Sequence, residues 1–239
     1  MDAASPTNWD DDVQIDKAET YEALQRSLAR NEGFGIFLVR CVEGERDRLI
    51  ARLQRDLPKQ PMAKLELKTA LEDGNLYNRV AAKLQEQPNL EVLFIDGLEK
   101  SFEAYIKPGY GGQGDYYKMD SVPRVLGHLN LQRERFRNDF PVSLVFFLSA
   151  FGLKYMARRS PDFFDWRSGI YEFVADRETV EKLSQAMYGD YEEYLQWSHG
   201  QRLDRIRAIQ ALLEEDLQTS DRKASLAFEQ GNILAADQQ

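Results

Sequence analysis

The chain is poor in the residues that build disulfide frameworks, zinc sites and histidine-based active sites. Its 239 residues include one cysteine, Cys41, and two histidines, His128 and His199. A single cysteine excludes an intrachain disulfide and suits a reducing compartment. One cysteine and two histidines that are distant in sequence also make a structural zinc site a poor hypothesis.

Long apolar runs are missing as well. No stretch approaches the roughly 20 apolar residues that a helix needs to cross a bilayer. The N-terminus, MDAASPTNWDDDVQID, lacks the charged-then-apolar order of a signal peptide. We therefore expect a cytoplasmic protein that does not enter a membrane. Hydrophobic residues make up 43% of the chain and charged residues 30%, which predicts a normal buried core.

Excess positive charge is also absent. The formal net charge is −9, and residues 1–20 contribute six acids against one lysine. A general nucleic-acid binder needs a basic surface that displaces counterions, so nucleic acid is not an expected partner. The basic cluster Arg133, Arg135 and Arg137 has Glu134 and Asp139 beside it, which favours a solvated helix face.

Hydrophobic periodicity predicts strands that alternate with helices. Strands such as 142–148, VSLVFFL, are apolar without alternation, which indicates a sheet covered on both faces. The pattern predicts an α/β fold with a five-stranded, mainly parallel sheet, helices on both faces and a C-terminal helical segment. The expected strands are 35–40, 62–67, 91–95, 142–148 and 170–174. The expected helices are 19–31, 45–56, 75–87, 121–138, 151–159, one from Asp176 to Gly189, and 190–217 with a break near Gly200.

The same pattern divides the chain into four segments. We expect an acidic flexible leader at 1–18, the α/β domain at 19–175 and a helical extension at 176–218. In 219–239, small and apolar residues recur at the spacing of the first helix of a tetratricopeptide unit. One such unit does not bury its apolar face alone. We therefore expect the natural protein to continue into a repeat array.

Several charged residues follow predicted strands directly. Arg40 ends the first strand, Asp96 ends the third, and a loop follows Leu148 at the end of the fourth. Ligands of open parallel sheets bind at the carboxyl ends of the strands. We therefore expect these residues to lie together at one edge of the sheet.

The turn after the first strand is compared with the phosphate-binding pattern G-x-x-x-x-G-K-[ST], in which backbone N–H groups and a lysine hold phosphates. With Gly44 as the second glycine, Glu45 takes the lysine position and Arg46 the hydroxyl position. We expect the carboxylate of Glu45 to repel a triphosphate, and Arg40 or Arg46 to be the cations that could compensate. The alternative is that Gly44 only permits a tight strand-to-helix turn.

The stretch EVLFIDGLEKS, 91–101, is a hydrophobic strand that ends in an acid. In nucleotide hydrolases such an acid positions Mg²⁺, and a second acid nearby polarises the attacking water. Asp96 and Glu99 fit these roles. The alternative is that Asp96 caps the helix that follows.

Residues 105–120, YIKPGYGGQGDYYKMD, hold four glycines and four tyrosines. Tyrosines supply contact area at little entropic cost, so Tyr110, Tyr116 and Tyr117 are candidates for binding a partner protein. The alternative is a compact surface loop packed by its own tyrosines.

Three arginines after the fourth strand are candidate phosphate ligands. Arg158 and Arg159 form a pair, and Arg167 follows in PDFFDWRSG. Arg167 could instead bond Asp162 or Asp165 within the turn. A more distant hypothesis is a nuclease site with Asp56 and the Glu66-Leu67-Lys68 stretch as the metal-binding group.

Together these segments resemble the ATPase-like domain of bacterial STAND-type signalling proteins, relatives of the AAA+ group, in the subgroup where tetratricopeptide repeats follow. The resemblance spans roughly residues 20–235. It rests on GFGIFLVRC (33–41), FIDGLEKS (94–101), YIKPGYGGQGDYYK (105–118), LGHLNLQRERFR (126–137) and SPDFFDWRSGIYEF (160–173).

The resemblance implies a P-loop-like sheet and a switch between a sensor and an effector that depends on ATP or ADP with Mg²⁺. The chain departs from the pattern at the lysine position, which puts hydrolysis in doubt. We therefore expect a regulatory or protein-interaction module with weak or no nucleotide hydrolysis. The alternative is an active ATPase with Asp96 and Glu99 on Mg²⁺ and Arg158 or Arg159 on phosphate.

Overall fold

The computed structural model describes residues 17–102, 122–215 and 217–237. Its strands are β1 (Gly35–Arg40), β2 (Met62–Glu66), β3 (Val92–Asp96), β4 (Ser143–Leu148) and β5 (Gly169–Glu172). Its helices are α1 (Lys17–Arg30), α2 (Glu43–Asp56), α3 (Leu76–Glu86), α4 (Arg124–Asp139), α5 (Ala150–Arg159), α6 (Pro161–Asp165), α7 (Arg177–Gln185), α8 (Tyr191–Gln196), α9 (His199–Leu213) and α10 (Ser220–Asp237). None of these helices is long and apolar enough to span a bilayer.

The five strands form one sheet in the order β2-β3-β4-β1-β5, and every neighbouring pair is parallel. The register aligns Arg40 with Leu148 and Glu172, and Glu66 with Asp96. The carboxyl ends of the strands therefore meet at one edge, as predicted. This confirms the predicted α/β class, with a five-stranded parallel sheet followed by C-terminal helices. Strand β2 lies at one border of the sheet and β5 at the other.

Side chains of the central strands alternate between two apolar cores. On one face, Ile36 and Leu38 pack with residues of α3, α4, α5 and α6. On the other, Phe37 and Val39 pack with α1 and α2. Because β1, β3 and β4 are buried on both faces, they carry apolar residues at successive positions rather than at alternate ones.

The helices α7 to α10 surround a third apolar core of their own, which includes Tyr194, Ile209 and Leu226. We call residues 177–237 the helical lobe, and residues 17–102 with 122–175 the α/β lobe. Asp176 caps α7, and its side chain accepts from the Thr179 N–H at 2.7 Å.

Some helix boundaries differ from those predicted. The break in the last predicted helix lies at Trp197 and Ser198, because Ser198 caps α9 through a reciprocal bond with Gln201. Gly200 lies inside α9. The predicted helix at 176–189 ends at Gln185, and the PDFFD stretch forms the short helix α6.

Candidate functional site

The connection between β1 and α2 consists of two residues, Cys41 and Val42. A phosphate-binding loop needs a longer backbone, since four residues separate its two glycines. Gly44 is the second residue of α2, and a Cβ added there would meet no atom within 4 Å. The interpretation of Gly44 as the residue that permits the tight turn is therefore wrong, because the turn is complete before it.

Glu45 is not among the residues that line the cavity at the carboxyl edge of the sheet. Its Oε1 bonds the Lys17 Nζ at the start of α1, at 3.0 Å. The expectation that this carboxylate confronts a ligand is therefore wrong. The helical rotation of about 100° per residue places Arg46 at the edge instead.

Arg46 lies buried between the two acids that the sequence singled out. Its Nη1 donates to Asp96 Oδ1 at 2.5 Å, and its Nη2 lies 3.8 Å from Glu99 Oε2. Burial acts against the charge, but Glu99 and Asp96 outweigh it and raise the pKa of Arg46 above its ordinary value. We call Arg46, Asp96, Glu99 and Lys64 the Arg46 cluster.

Both carboxylate oxygens of Asp96 are bonded to cations. Oδ1 accepts from Arg46, and Oδ2 lies 3.1 Å from the Lys64 Nζ. Burial tends to raise the pKa of Asp96, but Arg46 and Lys64 lower it overall. Mg²⁺ binding would require these cations to be displaced, so the residues do not fit a Mg²⁺ site as they stand. Within the described ranges no group of three or more metal-ligating side chains comes together.

Asp96 does not act as a helix cap, which was the alternative interpretation. The single turn of 3-10 helix that follows, Leu98–Ser101, has Gly97 at its N-cap and no side-chain cap. Gly97 has a φ of 85°, and a Cβ there would lie 2.4 Å from the Leu67 carbonyl oxygen. Glycine is therefore needed for the chain to turn directly after Asp96.

Glu99 is held at the N-terminus of α5. Its Oε1 accepts from the backbone N–H of Ser149 at 2.9 Å and from Ser149 Oγ at 2.6 Å. A Cβ on Gly152 would lie 1.7 Å from the same oxygen, so Gly152 makes the space for it. Sequence reasoning missed Ser149 and Gly152. A serine cap one turn before a glycine, directly after a strand, was the available signal, and Ser149 Oγ does accept from the Gly152 N–H.

A cavity of about 370 Å³ opens between the carboxyl edge of the sheet and the helical lobe. It brings together Gly44, Arg46, Asp96 and Glu99 from the predicted residues. Six carboxylates and three cationic side chains line it, an excess of three negative charges. Lys64 and Arg40 bind Asp96 and Glu215 from outside the lining, which reduces this excess to one.

The other side of the cavity is mainly apolar and comes from α7, the turn directly after it, and α9. Leu183, Met187, Ala208 and Ala211 contribute to it. At the floor, Cys41 is buried, and burial raises the pKa of its thiol to about 12.

Arg40 does not project its guanidinium into the cavity lining. Nη1 donates to Glu172 at 2.8 Å, and Nη2 donates to Glu215 at 3.0 Å. Glu172 belongs to β5, and Glu215 follows α9. Arg40 therefore joins the α/β lobe to the helical lobe.

The three arginines proposed as phosphate ligands lie elsewhere. Arg158 and Arg159 are in the last turn of α5, which begins at the sheet edge and leads away from it. Arg167 precedes β5, at the opposite end of that strand from the cavity. It donates to the Phe164 carbonyl at 3.0 Å and lies 3.5 Å from Asp165. The alternative that Arg167 bonds within its own turn is therefore confirmed.

Two further predictions concern the tyrosine-rich segment and the nuclease hypothesis. Tyr110, Tyr116 and Tyr117 lie outside the described residues.

The nuclease hypothesis needs Asp56 and Glu66 close together. Asp56 accepts from the Tyr21 hydroxyl at 2.6 Å near the amino end of β2, whereas Glu66 is at the carboxyl end of that strand. The fold does not bring Asp56 and Glu66 together.

Neither a protein-family model nor a curated protein matches this sequence. The fold is similar to that of the Thermotoga maritima RuvB Holliday junction branch migration motor, at 15% identity and a TM-score of 0.38, over 90% of this chain and 69% of that one. It is also similar to the Aeropyrum pernix ORC2 protein in its ADPNP-ADP complexes, at 11% identity and a TM-score of 0.40, over 94% and 68% of the two chains. Similarity at this level says nothing about activity, so the functional argument rests on the residues themselves.

Proposed function

We propose that this chain is a regulatory or protein-interaction module that keeps a P-loop-like sheet, with weak or no nucleotide hydrolysis. One observation carries the proposal: the Arg46 side chain bonds Asp96 and lies against Glu99, the two acids that hydrolysis would need for Mg²⁺ and water. The cation and the carboxylates of the site satisfy one another.

Three features of the backbone and the charges support the absence of a phosphate site. The two-residue turn before α2 is too short for a cradle of backbone N–H groups. The cavity carries more negative than positive charge. Lys100, which lines the cavity, donates its Nζ to the Lys68 carbonyl at 3.0 Å. A triphosphate would enter a site that offers it little compensating charge.

An apolar strip on α10 supports the interaction part of the proposal. Phe228 is 72% exposed, and Ala227, Gly231 and Ala235 are exposed on the same side of the helix. A large aromatic side chain beside small residues on a surface is typical of a face that binds another protein. The tyrosine-rich segment at 105–120 is the second candidate for contact with a partner protein.

The test of the first part is thermal unfolding with and without 5 mM ATP and MgCl₂. A ligand present at about 100 times its Kd stabilises the native state by about 2.7 kcal/mol, which for a chain of this size raises Tm by roughly 5–10 °C. We expect no shift and no phosphate release. A clear shift together with phosphate release, both abolished by Asp96→Asn, would establish the alternative, an ATPase with an unusual phosphate grip.

The interaction part needs a separate measurement. We expect deletion of residues 109–116 to leave the circular dichroism spectrum unchanged and to weaken association with partner proteins in a pull-down. Loss of the folded spectrum would instead make the segment structural.

A further inference from the structure

We infer that Arg40 is a latch that holds the helical lobe closed over the cavity, so that breaking its contact with Glu215 opens the cavity to solvent. This inference goes beyond the proposed function and does not depend on whether nucleotide binds. It rests on the contacts of Arg40, on how Glu215 is attached to the helical lobe, and on the burial of both side chains.

The two terminal nitrogens of the Arg40 guanidinium bond carboxylates in different lobes. Nη1 bonds Glu172 within the α/β lobe at 2.8 Å, and Nη2 bonds Glu215 in the helical lobe at 3.0 Å. The side chains of Arg40 and Glu215 are 10% and 7% exposed. Because both groups are shielded from water, removing one of them leaves the other as an uncompensated buried charge, which costs more than losing one member of a surface ion pair.

Glu215 is attached to the two helices that wall the cavity. Its backbone N–H donates to the Leu212 carbonyl at the end of α9, at 3.2 Å. The next turn leads to Gln218, whose Nε2 donates to Ser184 Oγ on α7 at 2.9 Å. Glu215 itself also lines the cavity. Motion of Glu215 away from Arg40 therefore carries the α7 and α9 wall with it.

A second ion pair between the lobes, Lys154 with Glu214 at 2.7 Å, is of a different kind. Its side chains are 58% and 37% exposed. Water and salt screen such a pair, and its usual contribution is small. We therefore assign the latch to Arg40 and Glu215 and use the Lys154 pair as a comparison.

The chain contains its own reporter of opening. Cys41 is its single cysteine, is 3% exposed and lines the floor of the cavity. The rate at which a maleimide labels Cys41 in the native protein therefore measures how often the cavity opens. Labelling at several low urea concentrations separates local opening, which depends weakly on urea, from global unfolding, which depends on it strongly.

The decisive comparison is between Glu215→Gln and Glu172→Gln. Each replaces one carboxylate that binds Arg40 by the isosteric amide and leaves the other in place. We expect Glu215→Gln to increase the urea-independent labelling rate roughly tenfold or more, the effect of weakening one charged hydrogen bond. Glu172→Gln and Lys154→Gln should label close to the wild-type rate, the first because Glu172 and Arg40 belong to the same lobe.

Equal labelling rates for Glu215→Gln and the wild type would overturn the inference. So would equal acceleration by Glu172→Gln, which would make Arg40 a general stabiliser of the fold. Should Glu215→Gln fail to fold, Glu215→Asp keeps the charge and shortens the side chain. Faster labelling of that variant supports the latch, and labelling at the wild-type rate contradicts it.

Discussion

Replacing Arg46 by methionine tests whether the Arg46 cluster is a closed ion-pair network. Methionine reproduces the unbranched stem of arginine and suits a buried position, so the main change is the loss of the guanidinium. In the wild type this group bonds Asp96 at 2.5 Å and lies 3.8 Å from Glu99. The variant therefore leaves two largely buried carboxylates without their shared cation.

The expected cost follows from what remains around those carboxylates. Removing one member of a buried ion pair typically costs about 3–5 kcal/mol. Here Asp96 keeps Lys64 at 3.1 Å, and Glu99 keeps its two bonds from Ser149. We therefore expect the lower end, about 3 kcal/mol at pH 7, a large share of the roughly 5–15 kcal/mol of a typical domain.

The pH dependence gives the sharper test. In the wild type the pKa of Asp96 lies below its ordinary value of about 4. The stability that Arg46 and Lys64 confer on the ionised form is present above the unfolded pKa and is lost as the pH falls through the folded one. Because Arg46→Met removes most of this contribution, the difference in unfolding free energy should shrink as the pH falls below about 4.

The assay is urea denaturation followed by circular dichroism at pH 7 and at successively lower pH. Arg48→Met is the matched control, since Arg48 is exposed on the same helix and should change stability by less than about 0.5 kcal/mol. The reasoning fails if Arg46→Met is as stable as Arg48→Met. It also fails if the difference between Arg46→Met and the wild type does not depend on pH.

Two further predictions concern the same edge of the sheet. Gly152→Ala should destabilise the protein by about 1–3 kcal/mol, because its Cβ would meet Glu99 Oε1 at 1.7 Å. Gly127→Ala, in the open surroundings of α4, should be neutral or stabilising by up to about 1 kcal/mol in the same urea titration. The double change of Glu45→Lys and Arg46→Thr restores the phosphate-binding consensus at those two positions. It should still show no ATP-dependent rise in Tm, because the turn before α2 remains two residues long; a rise would mean that side chains rather than backbone length limit binding.

The fold could be predicted from the sequence because strands that are buried on both faces have a recognisable apolar pattern. Strands β1, β3 and β4 are covered by helices above and below, so their central residues are apolar at successive positions rather than at alternate ones. The acids at the end of β3 were accessible for the same reason, since an ionisable residue that follows such a strand stands at the edge of the sheet. Asp96 and Glu99 do line the cavity there.

The partners of those acids were harder to find, although α2 contained a signal. Arg46, Leu49, Ile50 and Leu53 are all buried. Their spacing of three, four and seven residues places Arg46 on the apolar side of the helix and turns Glu45 away from it. A phosphate-binding consensus specifies residue types at fixed positions, whereas the helical period determines the direction in which each side chain points.

Other contacts depend on residues that are distant in sequence. Arg40 meets Glu215 across 175 positions, and Glu99 meets Ser149 across 50. The path of the chain between such residues determines these pairs, so no local pattern predicts them. The same holds for Arg158, Arg159 and Arg167, whose separation from the cavity follows from the direction of α5 and from the end of β5 at which Arg167 lies.

The outer strands of the sheet have a consequence for the behaviour of the protein at high concentration. A free strand edge can template pairing between molecules and lead to aggregation. Here β2 has only five residues, and two of them, Lys64 and Glu66, are charged. On the opposite border β5 has four residues, and α1 packs beside it. An edge strand that is short and charged, or short and covered by a helix, pairs poorly with the edge strand of another molecule. We therefore expect the folded chain not to form fibres by edge-to-edge pairing at high concentration.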